Sequence, residues 1–436
     1  MNQIIIEEKT LDEIRKVQSV LQELSEIFMI GLGKLTKKEK EIFDKVNEGF
    51  SHTPLSEVLA NSFSKLKNSD FSEDVITPLV YAILSLQGAI YDALFTTVGE
   101  ERTFTEIGKV EYYDFSQEKA VLMENIRKWL ISLLISGFKD LQLDNIDSFS
   151  SVLETISSYP ELTRLNVLLR GLICDFKFTQ NKKELKKYAI RFLDLWTKSY
   201  FLTLMEIKTK NKRIENAKFY PIAYQHFIHE QFFVGIIRGI VQTKDNSLFV
   251  NLEFPSFVSP LIPSKEFYSL IYKNNEELFT ALKQSKVVII EEASLSPQGV
   301  MHIEKFTVSD KSFNIKEVYE NTNNFKDIYL IKKPSLDRHH VHYFLPFFIE
   351  EKLPKLSTTE DTKIKFRNNK FKKNSKHFKK PKFVELRYDN DFYWNIIQFY
   401  LPKFPEEILY FETKNIKIKT ETYELMKEKS SKILRK

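Results

Sequence analysis

At 436 residues the chain is too long for one small core, and two or three domains are the natural expectation. Hydrophobic residues make up 42% of it and aromatics 14%, which excludes wholesale disorder. Its 65 Lys and Arg against 59 Asp and Glu leave a net charge of +6, and one segment accounts for all of that excess.

Cys174 is the single cysteine, set in an apolar run after Leu172 and Ile173, so an intrachain disulfide framework and a cysteine zinc site are excluded. It reads as a small buried hydrophobe. No stretch approaches the roughly 18 consecutive apolar residues of a membrane span. The first ten residues, MNQIIIEEKT, lack a basic region ahead of their short apolar run, so no signal peptide is expected. The expected location is cytoplasmic, with no membrane partner.

The first half reads as helix. Leu11, Ile14, Val17, Val20, Leu21, Leu24, Ile27 and Phe28 recur at spacings of three and four and predict one helix over residues 11–30. Gly31 and Gly33 end it. Thr36 and Glu39 form a capping-box pattern that opens the next helix. Further helices are expected over 55–66, 72–97, 116–141, 148–158, 160–176 and 183–207. The apolar interior of 72–97 predicts a central buried helix, with Gly88 admitting a close neighbour. A short hairpin is expected at 103–114.

A cationic run, KTKNKR at 208–213, marks the expected boundary, and beyond it the period changes. Strands are predicted at 232–243, 248–254, 287–294 and 300–308, with turns at 244–246 and 296–299. An amphipathic helix over 264–283 separates the two pairs, using Leu270, Leu278 and Leu282. Weaker strands follow at 327–332, 340–349, 383–388 and 408–422. The expected fold is α+β. An all-helical domain spans 1–207, a linker 208–220, and a β-rich α+β domain 221–436. The order of elements in the last suits a small antiparallel sheet or an OB-like (oligonucleotide-binding) barrel, in which Gly235 and Gly239 relieve crowding along a bent strand.

Residues 363–382, KIKFRNNKFKKNSKHFKKPK, carry the strongest partner signal. Lys363, Lys365, Arg367, Lys370, Lys372, Lys373, Lys376, Lys379, Lys380 and Lys382 are ten cations in twenty residues, with no acid among them. Without them the chain holds 55 basic residues against 59 acidic, a net of −4. Such a tract cannot be buried and meets polyanions, releasing counterions from a phosphate backbone. Phe366, Phe371 and Phe378 add faces on which unpaired bases stack. Arg238 beside an exposed Phe249 offers a second stacking platform, unless Phe249 packs against the helical half.

Three other patterns in the sequence carry weaker signals. His226 and His229 would share a helical face and His340 and His342 a strand face, a pattern open to zinc or manganese and to hydrolysis, although HxxHE lacks zincin spacing. Gly31 and Gly33 do not have phosphate-loop spacing, and Glu291 and Glu292 point to opposite faces of a strand. No motif calls for a cofactor. The expectation is therefore a non-enzymatic nucleic-acid-binding component of a larger assembly, gripping DNA or RNA with low sequence specificity. Its helical half is expected to bind other subunits or its own copy. The alternatives are an adaptor that meets an acidic protein and a metal-dependent hydrolase.

Overall fold

The computed structural model describes residues 3–97, 104–140, 149–178, 182–229, 232–257, 271–314, 317–318, 328–338, 345–348, 355–358, 383–389 and 391–398. It is an α+β molecule, with helices first and a five-strand antiparallel sheet after them.

The apolar stripe of α1 (Glu8–Ile30) is buried as its spacing predicts, at Leu11, Ile14, Leu21, Leu24, Ile27 and Phe28. It packs on α4 (Glu73–Thr97) and α8 (Lys182–Leu202). Trp196 of α8 is fully buried, meets Phe28 edge-on at 5.0 Å, and donates from Nε1 to the Leu130 carbonyl at 2.9 Å. Leu130 belongs to α5 (Gln117–Ser136).

Gly31 ends α1 at φ 101° and Gly137 ends α5 at φ 81°. A Cβ on Gly137 would lie 2.2 Å from the Ile30 carbonyl oxygen, and one on Gly31 2.5 Å from the Gly137 nitrogen. Two helix ends therefore meet backbone to backbone, which only glycine permits. After them the capping box forms, with Thr36 N–H donating to Glu39 at 2.8 Å and Glu39 N–H to Thr36 Oγ1 at 3.3 Å. A short 3₁₀ turn then leads into α2 (Ile42–Gly49).

The stretch Glu73–Leu94 of α4, interrupted by Pro78, Gln87 and Asp92, is long and apolar enough by length and composition to cross a membrane. It is 67% buried inside the protein and serves as a core helix. Arg338 lies over Gly88, 3.7 Å from where a Cβ would sit, so the expected close neighbour is a guanidinium and leaves room for a methyl.

The N-terminal half is not wholly helical. β1 (Gln3–Ile6) pairs in parallel with β12 (Lys355–Thr358). The expected hairpin at 103–114 is two strands that do not pair with each other. β2 (Phe104–Thr105) joins β10 (Ile328–Ile331), and β3 (Lys109–Tyr113) pairs antiparallel with β4 (Glu206–Lys210). Residues 208–220, expected as a linker, form most of β4 and the start of β5 (Lys212–His229). Their charges point outward while Ile214, Ala217 and Phe219 are buried, so a strand with one solvated face was read as a linker.

The main sheet runs β2–β10–β7–β6–β5–β8–β9, where β6 is Phe232–Gln242, β7 Ser247–Phe257, β8 Lys286–Leu295 and β9 Met301–Ser312. β10 and β2 are parallel additions, and the other five strands are antiparallel. β5 is long enough to pair with β8 through Lys212–Phe219 and with β6 through Lys218–His229, and its register shifts between Pro221 and Ala223. Gly239 sits at this bend, where a Cβ would come within 2.4 Å of the Phe219 ring. Helix α9 (Glu276–Gln284) closes the inner face with Leu278 and Phe279 against Phe219, Ile237, Val250 and Leu252. The start of β9 returns to β7 by a single parallel bridge, Val300 to Asn251, with Asn251 N–H donating to Gly299 at 3.1 Å. No closed barrel forms among the described residues.

Candidate nucleic-acid interface

Alternation along β6 and β7 sends Arg238, Ile240 and Phe249 to the face away from α9. That face is covered. Ile222, Ala223 and Ile240 form a small core with Tyr220, Phe249 and Val318, and Phe313 meets Tyr220 edge-on at 5.3 Å. Phe249 is thus half-buried, and it packs on the sheet's own outer layer rather than on the helical half.

Arg238 is 7% exposed. Burial, with the Arg387 guanidinium nearby, lowers its pKa to about 9, and it stays cationic at neutral pH. Arg387 belongs to β13 (Phe383–Asp389). Lys333 approaches from the segment after β10, and burial pushes its pKa down while Asp337 opposes the shift. Arg238 and Phe249 do lie on one face, but neither offers the open platform that sequence alternation suggested.

The segment 333–338 ties this face to the helices. Leu336 is buried in the helical core. Asp337 Oδ1 accepts from Arg164 Nη2 at 2.7 Å, and Arg164 lies on α7 (Thr163–Phe178). Arg338 donates to Asp92 of α4 at 2.7 Å and to the Lys333 carbonyl at 3.1 Å.

The cationic tract, 363–382, lies outside the described residues, but strands on both sides of it are placed. On one side β12 holds β1, whose Ile6 is fully buried in the helical core. On the other, β13 runs antiparallel to both β11 (Leu345–Phe348) and β14 (Asp391–Gln398). Leu386 and Tyr388 of β13 enter the helical core, and the Tyr388 hydroxyl donates to Gln18 Oε1 of α1 at 2.8 Å. β13 therefore rests on the helical layer, and β12 reaches it through β1.

The metal reading loses its local premise. His226 and His229 belong to strand β5, so the shared helical face does not exist. His340 and His342 lie outside the described residues. Among the described residues no group of three His, Cys, Asp or Glu is placed to hold a metal ion. Glu291 and Glu292 diverge as expected, toward Lys305 and Arg213 respectively.

Sequence reasoning missed the β3–β4 ribbon, where Tyr112 is 50% exposed and Tyr113 43%. Its signal was the KTKNKR run, read as a boundary instead of a strand. No family model, no curated protein and no solved structure matches the chain.

Proposed function

We propose that this chain is a non-enzymatic nucleic-acid-binding component of a larger cytoplasmic assembly, which contacts the phosphate backbone through residues 363–382. The observation that carries this reading is the anchoring of that cation-dense segment between β12 and β13. The described strands on either side fix where the tract begins and ends, and a segment fixed at both ends loses less entropy on binding than a free tail. Ten cations without an acid give a steeply salt-dependent grip, and the interleaved Phe366, Phe371 and Phe378 favour unpaired bases.

The strand order supports the same class. A long bent strand paired on both sides, a three-strand meander, a helix, and a hairpin whose last strand returns to the third match the plan of an OB-like barrel, here left open. The usual binding face of such a barrel is covered in this chain, so the tract takes the backbone and low sequence specificity follows.

The test is fluorescence anisotropy with single- and double-stranded DNA and RNA across a salt series. Affinity is expected to fall linearly in log–log form, and replacing the ten cations by Gln should remove most of that slope. Unchanged affinity in the Gln variant would sink the reading. Tract-dependent capture of an acidic protein without nucleic-acid binding would replace it with the adaptor alternative.

A further inference from the structure

The proposed tract leaves the run at 208–213 unused. In the fold its first residues belong to β4, which pairs only with β3 among the described residues and forms a two-stranded ribbon. Register sets Lys109 opposite Lys210, Glu111 opposite Lys208 and Tyr112 opposite Ile207. One face therefore carries Lys109, Lys208 and Lys210 together with Glu111, Tyr113 and Glu206, and Tyr112 projects from the other. Lys208 Nζ lies 4.8 Å from the Tyr113 ring centroid, and the Tyr113 hydroxyl donates to Glu111. Lys210 pairs with Glu111 at 3.0 Å and Lys208 with Glu206 at 3.3 Å, with the two lysines 68% and 57% exposed. Ion pairs this exposed are weak and exchange readily for phosphate.

The ribbon's position favours nucleic acid over a protein partner. Gly108, at φ 68°, opens β3, and a Cβ there would lie 3.1 Å from the Pro297 ring. The turn between β8 and β9 therefore packs against the base of the ribbon. In an OB-like order that turn joins the fourth and fifth strands, and it flanks the nucleic-acid path. A protein-docking face would present a contiguous apolar patch, whereas the lysine-bearing face of the ribbon presents no aliphatic side chain.

We propose that the β3–β4 ribbon is a second contact for single-stranded nucleic acid, in which Lys109, Lys208 and Lys210 take phosphates along one face and Tyr112, on the other, stacks on a base that turns round the ribbon's edge. The proposal rests on the nucleic-acid reading above. The experiment uses the full chain with fluorescent oligothymidylate and oligouridylate. Tyr112→Ala is expected to weaken binding roughly five- to tenfold, the lower end of single-base stacking, while Tyr112→Phe stays within about twofold. The double variant K208Q/K210Q should flatten the salt dependence.

Photo-crosslinking of the unmutated protein to an iodouracil-substituted oligonucleotide should place an adduct on Tyr112. This readout does not depend on how any variant folds. Wild-type binding that is lost in the tract variant but unaltered in Tyr112→Ala, with no Tyr112 adduct, overturns the ribbon proposal and leaves the tract standing. A wild-type chain that binds neither oligonucleotide overturns both. A Tyr112→Ala change confined to the mass seen by light scattering marks the ribbon as a protein contact and also overturns it.

Discussion

The Tyr388 hydroxyl donates a hydrogen bond to the Gln18 side chain across 370 residues of sequence, and both side chains are buried. Through this contact the strand that follows the cationic tract is fastened to the first long helix. Tyr388→Phe keeps the ring in the core and deletes the donor. It should cost about 1–2 kcal/mol, read by denaturant unfolding, because Gln18 Oε1 is then buried with one bond fewer. Tyr388→Ala should cost about 3–5 kcal/mol, since it also empties packed volume.

Gly137 and Gly88 should respond oppositely to alanine. At Gly137 the positive φ and the Ile30 carbonyl at 2.2 Å leave no room, so Gly137→Ala should destabilise by on the order of 3 kcal/mol or more. At Gly88 the nearest atoms to a new methyl are 3.7 Å away, and helix propensity favours alanine. Gly88→Ala should be neutral or stabilising by up to about 1 kcal/mol. Melting temperatures of the two variants make the comparison.

The segment 333–338 should prove to be held by its leucine more than by its charges. Leu336 is 5% exposed, and Leu336→Ala should cost about 2–5 kcal/mol. The Arg164–Asp337 pair is 39% and 20% exposed, so Asp337→Asn should cost about 1 kcal/mol or less. Unfolding of each variant and of the double variant decides between them.

Tyr200 gives the helical core a sensitivity to alkali. Burial raises its pKa to about 12, while its hydroxyl stays within 3.2 Å of Thr77 Oγ1. The unfolded chain gives up this proton near pH 10 and the folded chain only near 12. Stability from this group is therefore complete below pH 10 and declines as pH rises toward 12, by about 2–3 kcal/mol in all. Tyr200→Phe should lose that share of the alkaline decline, as seen by urea unfolding at pH 8 and pH 11.

Local chemistry made much of this fold legible in advance. The stripe of α1, the Thr36–Glu39 box, the glycine break and the hairpins at 244–246 and 296–299 depend on neighbours in sequence, and they stand where spacing placed them. The pairings of β1 with β12 and of β2 with β10 were invisible, because strands of two to four residues have no period to read. The burial of Arg238 was invisible for a related reason. Alternation assigns a residue to a face, but it cannot say that Lys333 and Arg387, far along the chain, will lie beside Arg238 there. The lysines at 208–213 misled because charge was taken as absence of structure, when one solvated strand face is enough to accommodate it.

The parallel pairing of β1 with β12 joins Gln3 to Lys355, and it sets an order on biosynthesis. Strand β1 leaves the ribosome 352 residues ahead of its partner, and Ile6 waits through that interval for the edge that completes its site. The helices can assemble during translation, and β1 can pair with β12 before residues 363–382 emerge, but β13 follows only after them. A nascent chain therefore cannot display the segment between two seated strands before most of its length has been made.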